Sequence, residues 1–238
     1  SWNDYDATYM APRSSLPMYG NVARLSLNRG EITTDPPSVK ALVNPYISMT
    51  KLDSISIFRK FDNPKFSIKP GRSKSVNVTL YLDPATNQQL AAAHFENNWF
   101  QEPLNADWVL HPIYSQPTDS MLRPLMHRSD NFFAEQTLLM ISHQWFGYMD
   151  EKAVIDSLLK TDLQGMPDKP RWVDGSGLSR YNLFSPADYV WLLQKMKTEF
   201  PMKRLQDVLP TGNDGTLTNY YKTLEGKIFA KTGTLGGV

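Results

Sequence analysis

Ser129-Asp130-Asn131 and, much later in the chain, Lys231-Thr232-Gly233-Thr234 carry the side chains best suited to chemistry. A serine hydroxyl can pass a proton to a leaving amine, and an asparagine amide can hold a substrate carbonyl by donating one hydrogen bond. A lysine offers a fixed positive charge to a substrate carboxylate, here with the hydroxyls of Thr232 and Thr234 beside it. Gly233 lets a substrate lie close to the backbone. Together these residue types suit acyl transfer through serine.

Each motif alone has an everyday alternative. Ser129 or Asp130 could be an ordinary helix N-cap, and Lys231 an exposed edge-strand lysine before a turn. Ser-x-Asn occurs four times, starting at Ser1, Ser26, Ser75 and Ser129, whereas Lys-Thr-Gly occurs once. Only the Ser129 copy falls at a junction between two helical segments, where side chains can point into a cleft. A third dense segment, Asp174-Gly175-Ser176-Gly177-Leu178-Ser179-Arg180, lacks the spacing of a nucleophile elbow or a dinucleotide site and reads as a tight loop. The four histidines, His94, His111, His127 and His143, show no metal-ligand spacing, so neither a metal nor a cofactor is expected. His127 reads as a polar flank of the relay motif.

With 238 residues, 41% of them hydrophobic, the chain can bury a core for one large domain or two smaller ones. Lys and Arg number 25 against 24 Asp and Glu, which gives no electrostatic case for nucleic acid or an anionic membrane. No stretch approaches the roughly 18 apolar residues of a membrane span, and Ser1-Trp2-Asn3-Asp4 does not read as a signal peptide. Zero cysteines exclude disulfides, thiolate zinc sites and cysteine nucleophiles.

The elements that must position these residues fall into two textures. Between Asn21 and Leu82, period-two runs predict a β-rich region with one wet face: Val22 to Leu27, Ser54 to Phe58 and Val76 to Leu82. Asp35-Pro36-Pro37 and Lys69-Pro70-Gly71 break it. From Thr118 helices take over. Thr118-Asp119 can cap a short helix that Pro124 would end or kink. Apolar spacing predicts helices over Asp130 to Phe146 and over Asp150 to Lys160. Ser185-Pro186-Ala187-Asp188 starts another that should run to about Thr198. A turn cluster, Thr211 to Gly215, precedes a strand expected over Lys227 to Thr232.

Four blocks in a fixed order resemble the penicillin-binding D-alanyl-D-alanine carboxypeptidases and endopeptidases of the class C low-molecular-mass type. They are His127-Arg128-Ser129-Asp130-Asn131-Phe132-Phe133-Ala134-Glu135; Asp174 to Arg180 with Tyr181-Asn182-Leu183-Phe184-Ser185-Pro186; Leu209-Pro210-Thr211-Gly212 with Asp214-Gly215-Thr216-Leu217; and Ala230-Lys231-Thr232-Gly233-Thr234-Leu235. The resemblance covers about residues 118 to 238 closely and residues 1 to 117 more loosely. It implies an α+β penicillin-binding fold, an antiparallel sheet flanked by helices, with an inserted β-rich domain. Residues 1–20 would close a catalytic-domain segment, 21–110 form the insert, and 111–238 the rest of the catalytic domain.

It also implies Ser129, Asn131 and Lys231 as catalytic residues, with Thr232, Gly233 and Thr234 along the substrate edge. The Thr234 amide would serve an oxyanion hole, and the substrate would add along the strand. Arg180, Asp4 and Tyr9 would hold the peptide stem. The family's nucleophile lies in a Ser-x-x-Lys upstream of the segment with which this chain begins. Ser48-Met49-Thr50-Lys51 and Ser157-Leu158-Leu159-Lys160 match that string in the wrong places and read as chance. The expectation is therefore a fragment missing both ends of its catalytic domain, drawn from an enzyme that acts on peptidoglycan peptides and β-lactams in the periplasm or elsewhere outside the cytoplasm. The rival is a non-catalytic peptidoglycan-binding protein. Oligomeric state is not legible.

Overall fold

A computed structural model describes residues 8–14, 17–28, 31–44, 56–59, 65–69, 75–79, 90–93, 105, 107–109, 111 and 114–233. The chain forms two compact units, Ser1–His111 and Pro112–Val238. Among the described residues no helix is long and apolar enough to cross a membrane.

The first unit holds two three-stranded sheets. In one, β1 (Val22–Asn28) lies between β2 (Glu31–Asp35) and β6 (Ser75–Thr79), antiparallel to both, with Leu25 opposite Thr34 and Val76. Ala23 and Leu25 are buried while Arg24 between them is exposed, the alternation expected of a strand with one wet face. In the other, β5 (Phe66–Lys69) pairs parallel with β3 (Val43–Asn44) and antiparallel with β4 (Ser56–Arg59). The short strands β2, β3 and β5 add to those the alternation predicts. Pro37–Leu42 forms a 3-10 helix after the Asp35-Pro36 break, burying Val39 and Leu42. Leu90 and Ala91, in the helical residues 90–93, are buried too. The expected Lys69-Pro70-Gly71 break lies outside the described residues beyond Lys69.

The second unit is mainly helical where described: α1 (Thr118–Arg128), α2 (Asn131–Phe146), α3 (Glu151–Lys160), α4 (Pro186–Glu199) and α5 (Met202–Val208). Three starts follow local chemistry. Asp130, Asp150 and Ser185 each accept a hydrogen bond from the backbone N–H three residues on. Ser185 and Asp188 complete a reciprocal capping box, with Pro186 at the first helical position. Leu138, Val154 and Ile155 bury the α2–α3 seam, flanked by Ile141, Leu158, Leu159 and Trp172.

Pro124 lies inside α1 and so does not end it, and two local expectations fail. Pro117 rather than Thr118 or Asp119 is the N-cap of α1, with no side-chain cap. Asp119 instead takes a bidentate contact from Arg204 of α5, with Nε 3.1 and 3.0 Å from its two oxygens and an Nη 2.8 Å away. Arg123 donates to the Asp207 carbonyl at 3.3 Å. These tertiary contacts offset the backbone bond that Pro124 cannot make. Likewise 227–232 is no strand: it makes one antiparallel bridge, Phe229 to Thr211. The Pro210 carbonyl accepts from Ala230, but Pro210 has no N–H with which to extend the ladder.

Candidate active site

The turn between α1 and α2 presents the relay motif. Ser129 is the C-cap of α1, left-handed at φ 55 and ψ 55, a conformation costly for a residue with a Cβ. It is held by two bonds onto the Leu125 carbonyl, from its own N–H and from that of Asp130. Asp130, not Ser129, caps α2, accepting from Phe133 at 3.2 Å. The capping role and the chemical role therefore fall on different residues. The Ser129 hydroxyl is left to Lys231, whose Nζ lies 2.8 Å from Ser129 Oγ across 102 residues of sequence. The same ammonium donates to the Thr232 carbonyl at 2.5 Å. Lys231 is exposed as a whole, but partial desolvation holds it below its ordinary value of 10.5, because loss of water disfavours the charged form. Half-buried Asn131 opens α2 on the far side of Asp130.

Lys231 is aimed by the block before it. Thr211 Oγ1 donates to the Ile228 carbonyl at 2.8 Å and accepts from Gly226 N–H at 2.7 Å, and Ala230 N–H reaches the Pro210 carbonyl at 3.0 Å. Gly212 is needed there, since a Cβ would lie 2.3 Å from the Tyr221 carbonyl oxygen. At Gly233 a Cβ would meet no described atom within 4 Å. Thr234 and Asp4 lie outside the described residues. Tyr9 sits half-exposed in a 3-10 turn of the first unit. Arg180 is exposed on the 174–182 loop.

That loop is pinned to α2 by Glu135. Its carboxylate accepts from Ser176 Oγ at 2.6 Å, Ser176 N–H at 3.0 Å and Gly175 N–H at 3.3 Å. Gly175 is required by the close approach, because a Cβ would stand 2.7 Å from the Ala134 carbonyl oxygen. Inside the loop Asp174 accepts from Gly177 and Ser179 N–H, both at 2.7 Å, and from the Asn182 amide at 2.8 Å. Glu135 thus ties the first block to the second, Pro210 with Ala230 the third to the fourth, and Lys231 the fourth back to the first. No group of three or more His, Cys, Asp or Glu among the described residues could hold a metal.

The chain matches the D-Ala-D-Ala carboxypeptidase 3 (S13) family over residues 1–238. It belongs to that family. D-alanyl-D-alanine carboxypeptidase DacB of Haemophilus influenzae is 28% identical over 134 residues, covering 52% of this chain and 28% of that protein. The crystal structure of penicillin binding protein 4 (dacB) from Haemophilus influenzae matches with a TM-score of 0.69 at 19% identity, over 100% of this chain and 59% of that one. The same protein complexed with a novel β-lactam gives 0.63 over 94% and 58%. The chain spans less than two thirds of the length of these relatives. The structural likeness carries the fold, which is α+β and of the penicillin-binding type.

In this S13 family member, sequence reasoning assigned no role to Glu135, Asp174, Asn182 or Asp214, although all four stand inside the quoted blocks. A signal was available for Asp174. Asp-Gly-Ser-Gly is turn chemistry, in which a carboxylate bonds backbone N–H groups a few residues on. Glu135 and Asp214 gave no local signal, because their partners are remote in sequence.

Proposed function

We propose that this chain belongs to a serine-type D-Ala-D-Ala carboxypeptidase or endopeptidase working on peptidoglycan stem peptides through an acyl-enzyme, in a bacterial envelope outside the cytoplasm. The observation that carries the reading is the 2.8 Å contact between Lys231 Nζ and Ser129 Oγ in an S13 family member.

In this reading Ser129 relays the proton between nucleophile and leaving amine, and the ammonium beside it holds the hydroxyl oriented as it does so. Lys231 also draws in the terminal carboxylate of the peptide. Asn131 donates to the substrate carbonyl, and the Thr234 amide joins the oxyanion hole. Thr232 and Gly233 form the edge along which the peptide backbone adds. The roles of Arg180, Asp4 and Tyr9 in holding the stem rest on the resemblance alone. The nucleophile is proposed to be neither Ser48 nor Ser157. Ser157 lies in α3, where its backbone carbonyl accepts from Thr161 in ordinary helix-end geometry.

Fluorescent penicillin and the natural full-length protein supply the test. A labelled serine outside residues 48 and 157, with labelling slowed by Ser129→Ala, supports the reading. Label on Ser48 or Ser157 overturns the nucleophile assignment, and no label at all favours a binding protein without catalysis.

A further inference from the structure

His127 sits in the last turn of α1, two residues before Ser129. Its Nδ1 lies 3.1 Å from Asp214 Oδ2, and only 12% of its side chain is exposed against 44% for Asp214. A ring nitrogen of His127 thus faces a carboxylate oxygen at ion-pair distance. Nε2 is buried and has no hydrogen-bond partner among the described residues. The ring's polar neighbour is thus the Asp214 carboxylate.

The same joint is closed by backbone. Gly215 has φ +52, and a Cβ on it would stand 2.7 Å from the His127 carbonyl oxygen. Asp214 N–H donates to the Thr211 carbonyl at 3.1 Å; Thr211 Oγ1 donates to the Ile228 carbonyl, and the Pro210 carbonyl accepts from Ala230, the residue before Lys231. Two arms therefore leave this joint. One is the end of α1, carrying Ser129; the other runs from Asp214 through Thr211 and Ala230 to Lys231. They meet again at the 2.8 Å contact.

We infer that His127 and Asp214 brace these two arms, so that His127 is a positioning residue for the relay between Ser129 and Lys231. The inference rests on the acyl-transfer reading for its catalytic consequence but not for the brace itself. With the brace cut, the left-handed backbone of Ser129 leans on the two bonds to Leu125, and relaxing it lengthens the contact to Lys231.

His127→Phe keeps a ring and removes the donor; His127→Asn places an amide N–H close to where Nδ1 stands; Asp214→Ala removes the acceptor from a more exposed site. In the full-length protein two quantities are read: amide hydrogen exchange at 129–130 and 228–231, and the acylation rate by fluorescent penicillin, with its initial non-covalent binding measured separately. His127→Phe and Asp214→Ala should speed exchange in both segments together. They should slow acylation about tenfold or more, the scale of one lost charge-assisted bond, at unchanged initial binding. His127→Asn should stay within about twofold of wild type. Unchanged exchange, faster exchange in one arm alone, or an Asn variant as defective as the Phe variant overturns the brace. A wild-type protein that penicillin never acylates would remove the functional reading, while the exchange data still decide the brace.

Discussion

Replacing Glu135 with alanine strips the 174–182 loop of its anchor. Three donors lose one carboxylate: Ser176 Oγ at 2.6 Å, Ser176 N–H at 3.0 Å and Gly175 N–H at 3.3 Å. Hydrogen bonds to a charged acceptor contribute about 1.5–3 kcal/mol each, but these groups are only part-buried and water replaces part of the loss. Taking the two shorter bonds at the low end, and nothing for the longest, gives a destabilisation of about 3 kcal/mol. A unit of roughly 130 residues unfolds with an entropy of about 0.27 kcal/mol/K, so the melting temperature should drop by about 10 °C. Calorimetry of the full-length protein measures that drop. The Trp172 emission should shift with it, because Trp172 Nε1 donates to the Asp174 carbonyl at 2.6 Å within the freed loop. A Glu135→Ala protein that melts within about 2 °C of wild type would refute the claim that this carboxylate holds the loop.

Gly175→Ala should destabilise by about 2 kcal/mol or more through overpacking against the Ala134 carbonyl, while Gly177→Ala, left-handed but with open space around it, should cost only about 1 kcal/mol; urea unfolding compares them. Asp119 sits below its ordinary 3.8 chiefly through its hydrogen bonds from Arg204. The stability it contributes is thus full above 3.8 and lost as pH falls through the depressed value, and Arg204→Met should flatten that acid limb in a pH series of melts. Lys231 gives a slope of the same sign at the alkaline end, from a desolvation cost rather than a partner. Its folded value lies below 10.5, so the unfolded chain binds more protons in that window and stability rises as pH climbs toward 10.5. Lys231→Met should remove the rise, and a variant that keeps it would contradict the partial desolvation of the ammonium.

Much of the helical unit was legible because its signals are local. Asp130, Asp150 and Ser185 are acceptors three residues before the N–H groups they cap, so type and spacing alone announce the starts. The alternation of Val22 to Leu27 announced β1 in the same way. The α5 helix escaped notice because seven residues after Pro201 are too few for a periodic pattern. The uncapped start of α1 and the lone bridge at Phe229 departed from expectation because tertiary partners, Arg204 in one case and Pro210 in the other, outweighed local propensity.

The sequence by itself determined which residue types were available, their order in four blocks, and the membership of the chain in a penicillin-binding family, since each rests on identity and spacing along one dimension. It also determined that Ser129 would stand at a helix junction. Only the tertiary structure decided that Lys231 reaches Ser129 across 102 residues, that Glu135 pins the Asp174 loop, and that His127 meets Asp214. Each of those contacts joins side chains or backbone groups whose sequence separation leaves no local trace. They are made by packing, in which α1 is fixed on α5 and α3 on α2, and only then do the chemically useful groups come within hydrogen-bonding distance.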